Sequence, residues 1–351
     1  MTITINKKEY PLHTLDTGAQ ELSKKRWDSI AKPLHSLGKM EDLVIQTAGI
    51  TGDANVTYDK KALIVMCADN GVVAEGVTQS EQNVTAIVSE NFLSDKATAA
   101  ILCKQTGAEI FPIDIGIAVD TKLENHKIAY GTKNMAKEPA MTREEAERAM
   151  EVGIEKVREL SEQGYKIIAT GEMGIGNTTT SSALASYFLQ EDVEKMTGRG
   201  AGLTSKALEK KIAVVRKAIA DYSPAFTDAI DALAALGGFD IAGMAGVFLG
   251  GAIYRVPIVM DGFISSTAAL TATRICPACK DFIMASHVSK EPAAEKILAA
   301  MDKEAALHCD MCLGEGTGAV TLFPILDLAI QIYEQMSTFE DIEIDAYVEL
   351  K

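Results

Sequence analysis

Long apolar runs are missing from this chain. The most extended, from Ile241 to Ile253, is fenced by Asp240 and Arg255, and falls well short of the roughly 20 residues that a bilayer-spanning helix needs. No membrane-embedded part is expected. Clustered positive charge is missing too: the formal net charge is −15, and Lys and Arg gather only in short pairs such as Lys24-Lys25 and Lys210-Lys211. A nucleic-acid surface needs the opposite balance, so nucleic acid is excluded as a partner and any anionic ligand has to be held locally. Aromatics are few, at 6%. The segment from Met1 to Lys8 lacks the hydrophobic region of a signal peptide, which leads to the expectation of a cytoplasmic protein with reduced thiols. What remains is a chain of 351 residues, 47% hydrophobic, rich in Ala, Gly, Ile, Val and Met. That composition suits an enzyme-like α/β protein, and the length allows two domains or one large domain with an appendage.

The stretch around which the rest is organised is Gly171-Glu172-Met173-Gly174-Ile175-Gly176-Asn177-Thr178-Thr179-Thr180, preceded by the apolar run Tyr165 to Ala169 and followed by Ser181 to Ala185. It reads as strand, glycine turn and helix start. The glycines permit a tight turn and close approach of a ligand, and the following hydroxyl and amide side chains can cap the free N–H groups of the helix. Helix starts attract anions. The spacing is neither that of a P-loop nor that of a dinucleotide fingerprint, so a phosphate cradle competes with an ordinary strand-to-helix turn. A second glycine loop, Gly198-Arg199-Gly200-Ala201-Gly202, precedes Thr204, which can cap a helix with Leu208, Ile212, Val215 and Ile219 on its buried side. Lys211 falls near that buried stripe. It is either a stem that snorkels to water or a phosphate partner.

Around these loops the chain alternates helix and strand. Residues 1–50 show a helical pattern with Ala19, Leu22, Trp27, Ile30 and Leu34 on one side, and Trp27 is expected in the core. Ala62 to Ala68 reads as a strand ending at Asp69-Asn70-Gly71, where Asp69 serves either the turn or a ligand. A helix over Ala86 to Thr106, a strand from Glu109 to Ile117, a polar loop from Val119 to Pro139 and a capping box at Thr142-Arg143-Glu144-Glu145 follow. Further strands are expected over Val256 to Met260, before Asp261-Gly262-Phe263, and near Ile283, which would put His287 at a strand end. The small-residue run to Ile253 implies close packing of helices, within the chain or between subunits. This alternation predicts a Rossmann-like parallel sheet with helices on both faces.

Two further features bear on chemistry. In Leu313-Gly314-Glu315-Gly316-Thr317-Gly318 a carboxylate is set between glycines beside apolar neighbours, where poor solvation would raise its pKa and suit it to act as a general base. Cys276-x-x-Cys279 and Cys309-x-x-Cys312 have the spacing of zinc ligands. Both pairs fall within regular α/β elements rather than in zinc-ribbon hairpins, which favours free or redox-sensitive thiols over a metal.

The glycine stretch from Gly171 to Thr179, with Gly198-Arg199-Gly200, Asp261-Gly262-Phe263, the Glu315 loop, Ala68 to Val72 and Ser286-His287, resembles the nicotinate-nucleotide:dimethylbenzimidazole phosphoribosyltransferase family over nearly the whole chain. The cysteine pairs are a departure from the family's pattern. The resemblance implies transfer of ribosyl 5-phosphate from nicotinate mononucleotide to 5,6-dimethylbenzimidazole, giving α-ribazole phosphate and nicotinate for the lower ligand of cobalamin, with no cofactor and no metal. It implies Glu315 as the base and Glu172 as a second active-site carboxylate, with Gly174, Gly176, Asn177, Thr178, Gly200 and Lys211 on the 5′-phosphate. Ser80, Gln82 and Leu313 are candidates for the pocket of the acceptor base. It also implies a homodimer, a Rossmann-like domain over residues 51–325, and a small helical domain from residues 1–50 and 326–351. Transfer to another base or a phenol, and a noncatalytic nucleotide-binding module, are the competing readings.

Overall fold

The computed structural model describes residues 1–200 and 202–348. Ala201, in the second glycine loop, and Glu349 to Lys351, at the end of the expected helical domain, lie outside the described residues. The chain opens on an antiparallel hairpin, β1 (Thr2–Ile5) and β2 (Lys8–Pro11), turned through Asn6 and Lys7, both of positive φ. The expected helical reading of residues 1–50 missed it, because strands this short carry too little alternation to stand out. Helices Thr17–Ser29 and Lys39–Thr51 follow. In the first of these, burial follows Ala19, Ser23 and Trp27 at intervals of one turn. Leu22 stands on the outer shoulder, 59% exposed, contrary to expectation.

The main sheet contains β3 (Lys61–Ala68), β4 (Ala108–Gly116), β5 (Glu124–Asn125), β6 (Ile167–Met173), β7 (Ile258–Met260) and β8 (Ile283–Ala285). All pairs are parallel, and the spatial order is β5-β4-β3-β6-β7-β8. Every residue of β3 is buried. Successive side chains of a strand point to opposite faces, so both faces of the sheet are covered by helices, as its unbroken apolar sequence implied. The strand order reverses between β3 and β6, since later strands are added outward on either side of that pair. In open parallel sheets the crevice outside the carboxyl ends of the strands at such a reversal is where ligands bind. Here that crevice lies between Ala68 and Met173.

Two sequence expectations change in detail. The stretch from Ala86 to Thr106 is not one helix but Val84–Asn91, a tight turn at Phe92–Ser94, and Thr98–Thr106. Ser94 Oγ donates to Asn91 and Asp95 adopts φ 55°, so short polar side chains offer the backbone an alternative to the helix. The polar loop from Val119 to Pro139 contains the edge strand β5, too short and exposed to show in the pattern.

The small-residue run becomes the helix Phe239–Tyr254, packed on Arg143–Glu162. A Cβ at Gly153 would collide with the Gly243 carbonyl and one at Gly246 with that of Met150. The close approach anticipated there is therefore within the chain. Helix Thr317–Gln335 continues through Pro324 and meets the amino-terminal helices. The Trp27 and Tyr333 rings lie 5.0 Å apart and Arg26 Nε donates to the Tyr333 carbonyl at 3.0 Å. Trp27 is buried, as expected. No helix among the described residues is long and apolar enough to cross a membrane.

Candidate active site

At the reversal point β6 runs further than its apolar residues indicated. Gly171 and Glu172 still belong to the strand, in register with Val65 and Met66, and the turn is confined to Gly174, Ile175 and Gly176. Gly171 is required inside the strand because a Cβ there would lie 2.6 Å from the Glu315 carbonyl oxygen. The helix Asn177–Leu189 then starts from Gly176, at φ 96°, with no side chain capping it. The expected cap by a following hydroxyl or amide is thus absent. Asn177 instead turns its Nδ2 to Glu172 Oε2 and, at 3.0 Å, to Asp240 Oδ2. An uncapped helix start has N–H groups to offer an anion.

The second glycine loop brings a cation to the same place. Thr204 caps the helix Ser205–Tyr222, accepting from the Ala207 N–H. Two turns in, Lys211 is 1% exposed, so it does not snorkel. Its Nζ donates to Thr178 Oγ1 at 2.8 Å and to the Gly198 carbonyl at 3.3 Å. Burial pulls its pKa down to about 8, with Glu291 acting the other way. A buried ammonium that bonds two neutral oxygens is poorly compensated, and an arriving dianion would supply the missing charge.

Four carboxylates converge beside this cradle. Glu172 lies beneath the Gly314–Glu315 peptide, accepting the Glu315 N–H at Oε1 over 3.4 Å. Burial first, then the charge of Asp240, raises its pKa to about 8, while Asn177 works in the opposite sense. Asp240, fully buried in the helix Phe239–Tyr254, is pushed up to about 6 by burial, against its bonds from Asn177 and nearby N–H groups. Glu315 sits on a turn of three consecutive positive-φ residues, at 92°, 62° and 83° for Gly314, Glu315 and Gly316. Burial raises its pKa, opposed by the Ala99 N–H and assisted by the charge of Asp261. Its Oε2 is buried and has no hydrogen-bond partner among the described residues. Asp261, at the end of β7, accepts the N–H groups of Gly316, Gly318 and Ala319 at 3.1, 2.7 and 3.1 Å.

The raised pKa of Glu172 has a consequence for stability. Its folded value exceeds the ordinary value of 4.5, so folding favours the neutral form. That contribution is complete below the unfolded pKa and is lost as pH rises through about 8. Glu172→Gln is neutral at every pH. It should melt about 3 °C above the parent at alkaline pH, by roughly 2 kcal/mol of relieved charge burial, and converge with it in acid. Melting curves of both proteins across that range check the point; equal midpoints at high pH would contradict it.

Glu172, Glu315, Asp261 and the glycine cradle surround a cavity of about 310 Å³, with Asp240 and Lys211 outside its lining. Of the residues singled out from the sequence, Glu315, Glu172, Gly174, Gly176, Asn177, Thr178, Gly200 and Leu313 line it, as does His287. Lys211 stands directly behind Thr178. Ser80 and Gln82 are not brought in: Thr78 and Val88 on either side of them line the cavity, while Ser80 is half-buried and Gln82 exposed outside it. Asp69 is buried and accepts the Ala118 N–H at 2.8 Å through Oδ2, joining the end of β3 to the loop that follows β4. Asp240 and Glu291 were missed by the sequence reading. A signal for Asp240 existed in its position between Phe239 and Ile241 at the head of an apolar run; Glu291 gave none. The cysteine pairs have different surroundings, Cys276 and Cys279 being buried and Cys309 and Cys312 exposed. Among the described residues no group of three or more His, Cys, Asp or Glu side chains forms a metal-binding cluster.

Comparison with known proteins bears on this geometry. A phosphoribosyltransferase family model matches residues 12–344. The chain is 48% identical over 330 residues to a nicotinate-nucleotide–dimethylbenzimidazole phosphoribosyltransferase of Acetivibrio thermocellus, covering 93% of this chain and 94% of the relative. It is 49% identical over 343 residues to one of Clostridium acetobutylicum, covering 97% of each. The crystal structure of CobT from Thermus thermophilus superposes with a TM-score of 0.89 at 34% identity, over 94% of this chain and 100% of that one.

Proposed function

Because the chain belongs to the nicotinate-nucleotide–dimethylbenzimidazole phosphoribosyltransferase family, we propose that it moves ribosyl 5-phosphate from nicotinate mononucleotide to 5,6-dimethylbenzimidazole, releasing nicotinate and forming α-ribazole 5-phosphate for the lower ligand of cobalamin. The observation that carries this reading is the unpartnered Oε2 of Glu315 in a cavity that also contains an uncapped helix start backed by a buried lysine. A ring nitrogen of the benzimidazole attacks C1′ as the C1′–pyridinium bond breaks, and the bonding pair leaves with the pyridine nitrogen. The leaving ring becomes neutral and needs no acid. The attacking base acquires positive charge and must lose its N–H proton, which Glu315 accepts. A single displacement inverts the β-linkage to α.

The other roles follow from charge. Gly174, Gly176, Asn177, Thr178 and Gly200 receive the 5′-phosphate and Lys211 supplies its counter-charge. Glu172, whose pKa lies at about 8, ionises as the pyridinium ring of the nucleotide arrives and stabilises positive charge growing on the ribose. Leu313, 56% exposed, offers an apolar wall to the acceptor, with Ser80 and Gln82 as further acceptor contacts if the loop beyond Thr78 closes over the bound base.

Product analysis by chromatography with mass detection tests the reading. Nicotinate and a ribosylated-base phosphate should appear together, only when both substrates are present. Turnover with adenine or a phenol but not with dimethylbenzimidazole would reassign the acceptor. Absence of product with every acceptor would leave a nucleotide-binding module. We further propose a homodimer, supported by the exposed Ile87, Leu93 and Ile101 on the successive segments Val84–Asn91, Phe92–Ser94 and Thr98–Thr106; a monomer in sedimentation velocity at micromolar concentration would refute it. The small helical unit of residues 1–50 and 326–351 would join the rest through helix Thr317–Gln335, which crosses the division at residue 325, and limited proteolysis should spare that helix. A cytoplasmic location accords with the free thiols of Cys276 and Cys279, and cell fractionation checks it.

A further inference from the structure

Helix Thr317–Gln335 begins at Gly316 with no capping side chain of its own. Its cap comes from Asp261, 55 to 58 residues away in sequence, whose Oδ2 accepts the Gly316 N–H and whose Oδ1 accepts those of Gly318 and Ala319. Asp261 is 3% exposed and has no Lys or Arg partner among the described residues; the cationic candidate beside it is His287, with Nδ1 at 3.8 Å and burial holding its pKa below the usual value. Those three N–H bonds, with that of the Gly262 N–H, are therefore what compensates a buried carboxylate.

The residue they secure is strained. Glu315 is a non-glycine residue at φ 62° between two glycines of positive φ, a conformation that a side chain disfavours and that persists only where its surroundings impose it. Three contacts impose it here: the β6 backbone at Gly171 beneath the Glu315 carbonyl, Glu172 on the Glu315 N–H, and Asp261 on the N–H groups that follow. At Gly318 a Cβ would meet His287 and stand 2.8 Å from Asp261 Oδ1, so glycine there is what lets the carboxylate reach the backbone. Asp261 is itself seated by Ser265, whose Oγ accepts the Asp261 N–H at 3.1 Å and shares a bond of 2.7 Å with Thr170 Oγ1 of β6.

We propose that Asp261 is a positioning residue for Glu315: by gathering the N–H groups of Gly316, Gly318 and Ala319 it fixes the left-handed turn that presents the Glu315 carboxylate to the acceptor base. The proposal rests on Glu315 being the base. The charge of Asp261 also acts on Glu315 through space, raising its pKa. The Ala99 N–H, at the start of Thr98–Thr106, bonds that carboxylate and opposes the rise, and the same cavity is lined by Glu172 from β6, with Asp240 behind it, by His287 beyond β8 and by Glu291.

The test compares the parent, Asp261→Asn, Glu315→Gln and the double variant in steady-state transfer from nicotinate mononucleotide to dimethylbenzimidazole. Parent turnover establishes the underlying reaction first; its absence defeats the proposed function rather than this inference alone. Given turnover, Asp261→Asn should lower kcat about 10–100-fold, with KM for the nucleotide within about 3-fold of the parent. The acid limb of kcat/KM should move to lower pH, because loss of a neighbouring negative charge lowers the pKa of the base. On the Glu315→Gln background the same substitution should cost less than about 3-fold, since the group it positions is no longer a base. A parental kcat, or a full loss repeated on that background, overturns the proposal. If Asp261→Asn does not fold, as read by circular dichroism, Asp261→Glu takes its place: the charge stays, so the limb holds its position while kcat falls through the displaced turn. Parental kcat in Asp261→Glu then overturns it.

Discussion

Glu315→Gln is expected to lower kcat for transfer by about 10²–10⁴-fold, the range that a positioned general base contributes, while KM for nicotinate mononucleotide changes by less than about 3-fold. The substitution keeps the size and the amide can still occupy the turn, so what is removed is proton acceptance. The unpartnered Oε2 makes the change cheap for the fold, because no protein donor is abandoned. A signature in pH accompanies it. Burial, the larger cause, and the charge of Asp261 hold the Glu315 pKa above the ordinary carboxylate value of 4.5. The base works when ionised, so kcat/KM for the parent rises with pH through that raised value and levels off. The rising limb should vanish in Glu315→Gln. A variant that keeps both the limb and the rate would remove Glu315 as the base and return attention to Glu172.

Lys211→Met is expected to lower kcat/KM by about 10²–10³-fold, the consequence of deleting one partner of a buried charge pair, with inorganic phosphate losing its ability to compete with the nucleotide. Met suits the buried stripe, so the protein should fold, leaving Thr178 without its donor. Here the pH signature falls on the other side. With a pKa of about 8 in the free enzyme, Lys211 loses its charge as pH rises, and kcat/KM should decline above that point. A bound dianion favours the ammonium, so the decline in kcat should be displaced to higher pH. Lys211→Arg stays protonated throughout and should lose the alkaline limb even if the longer fork fits poorly. An unchanged alkaline limb in Lys211→Arg, or unaltered phosphate competition in Lys211→Met, would separate this lysine from the phosphate.

The parts of this site that the sequence disclosed are those where local chemistry and tertiary placement agree. The unbroken apolar run of β3 could be buried only in a covered parallel sheet, and Thr142-Arg143-Glu144-Glu145 closes a capping box by itself. Glycine loops at the ends of β6 and before Thr317 mark where backbone must turn tightly, and the carboxylates within them were visible for that reason. Where Gly171 belongs was not legible, because its reason is the Glu315 backbone pressing on it from 144 positions later in the chain. Asn177 looked like a cap and is instead a bridge between Glu172 and Asp240, a choice made by two buried acids that no local pattern brings together. Ser80 and Gln82 follow the same lesson: nearness in sequence to a strand end did not carry them to the cavity. The hairpin at the start and the edge strand β5 were too short for periodicity to register.

The brevity of β5 reaches beyond the site. On one margin of the main sheet β5 covers β4 only at Ile113 and Asp114, through Glu124 and Asn125, both exposed, the first carrying a charge that also binds Lys156. The opposite margin, β8, is occupied by its own chain: Ala306 N–H donates to the Ala285 carbonyl at 3.2 Å and Leu307 bridges His287. Among the described residues, what is left open on the β5 margin is the short stretch Ala108 to Pro112 of β4, which ends at a proline without an N–H, a poor template for uncontrolled strand addition. Concentrated solutions should therefore resist fibrillar growth from this sheet, and copies that do associate must meet through side chains on helices rather than by lengthening the sheet.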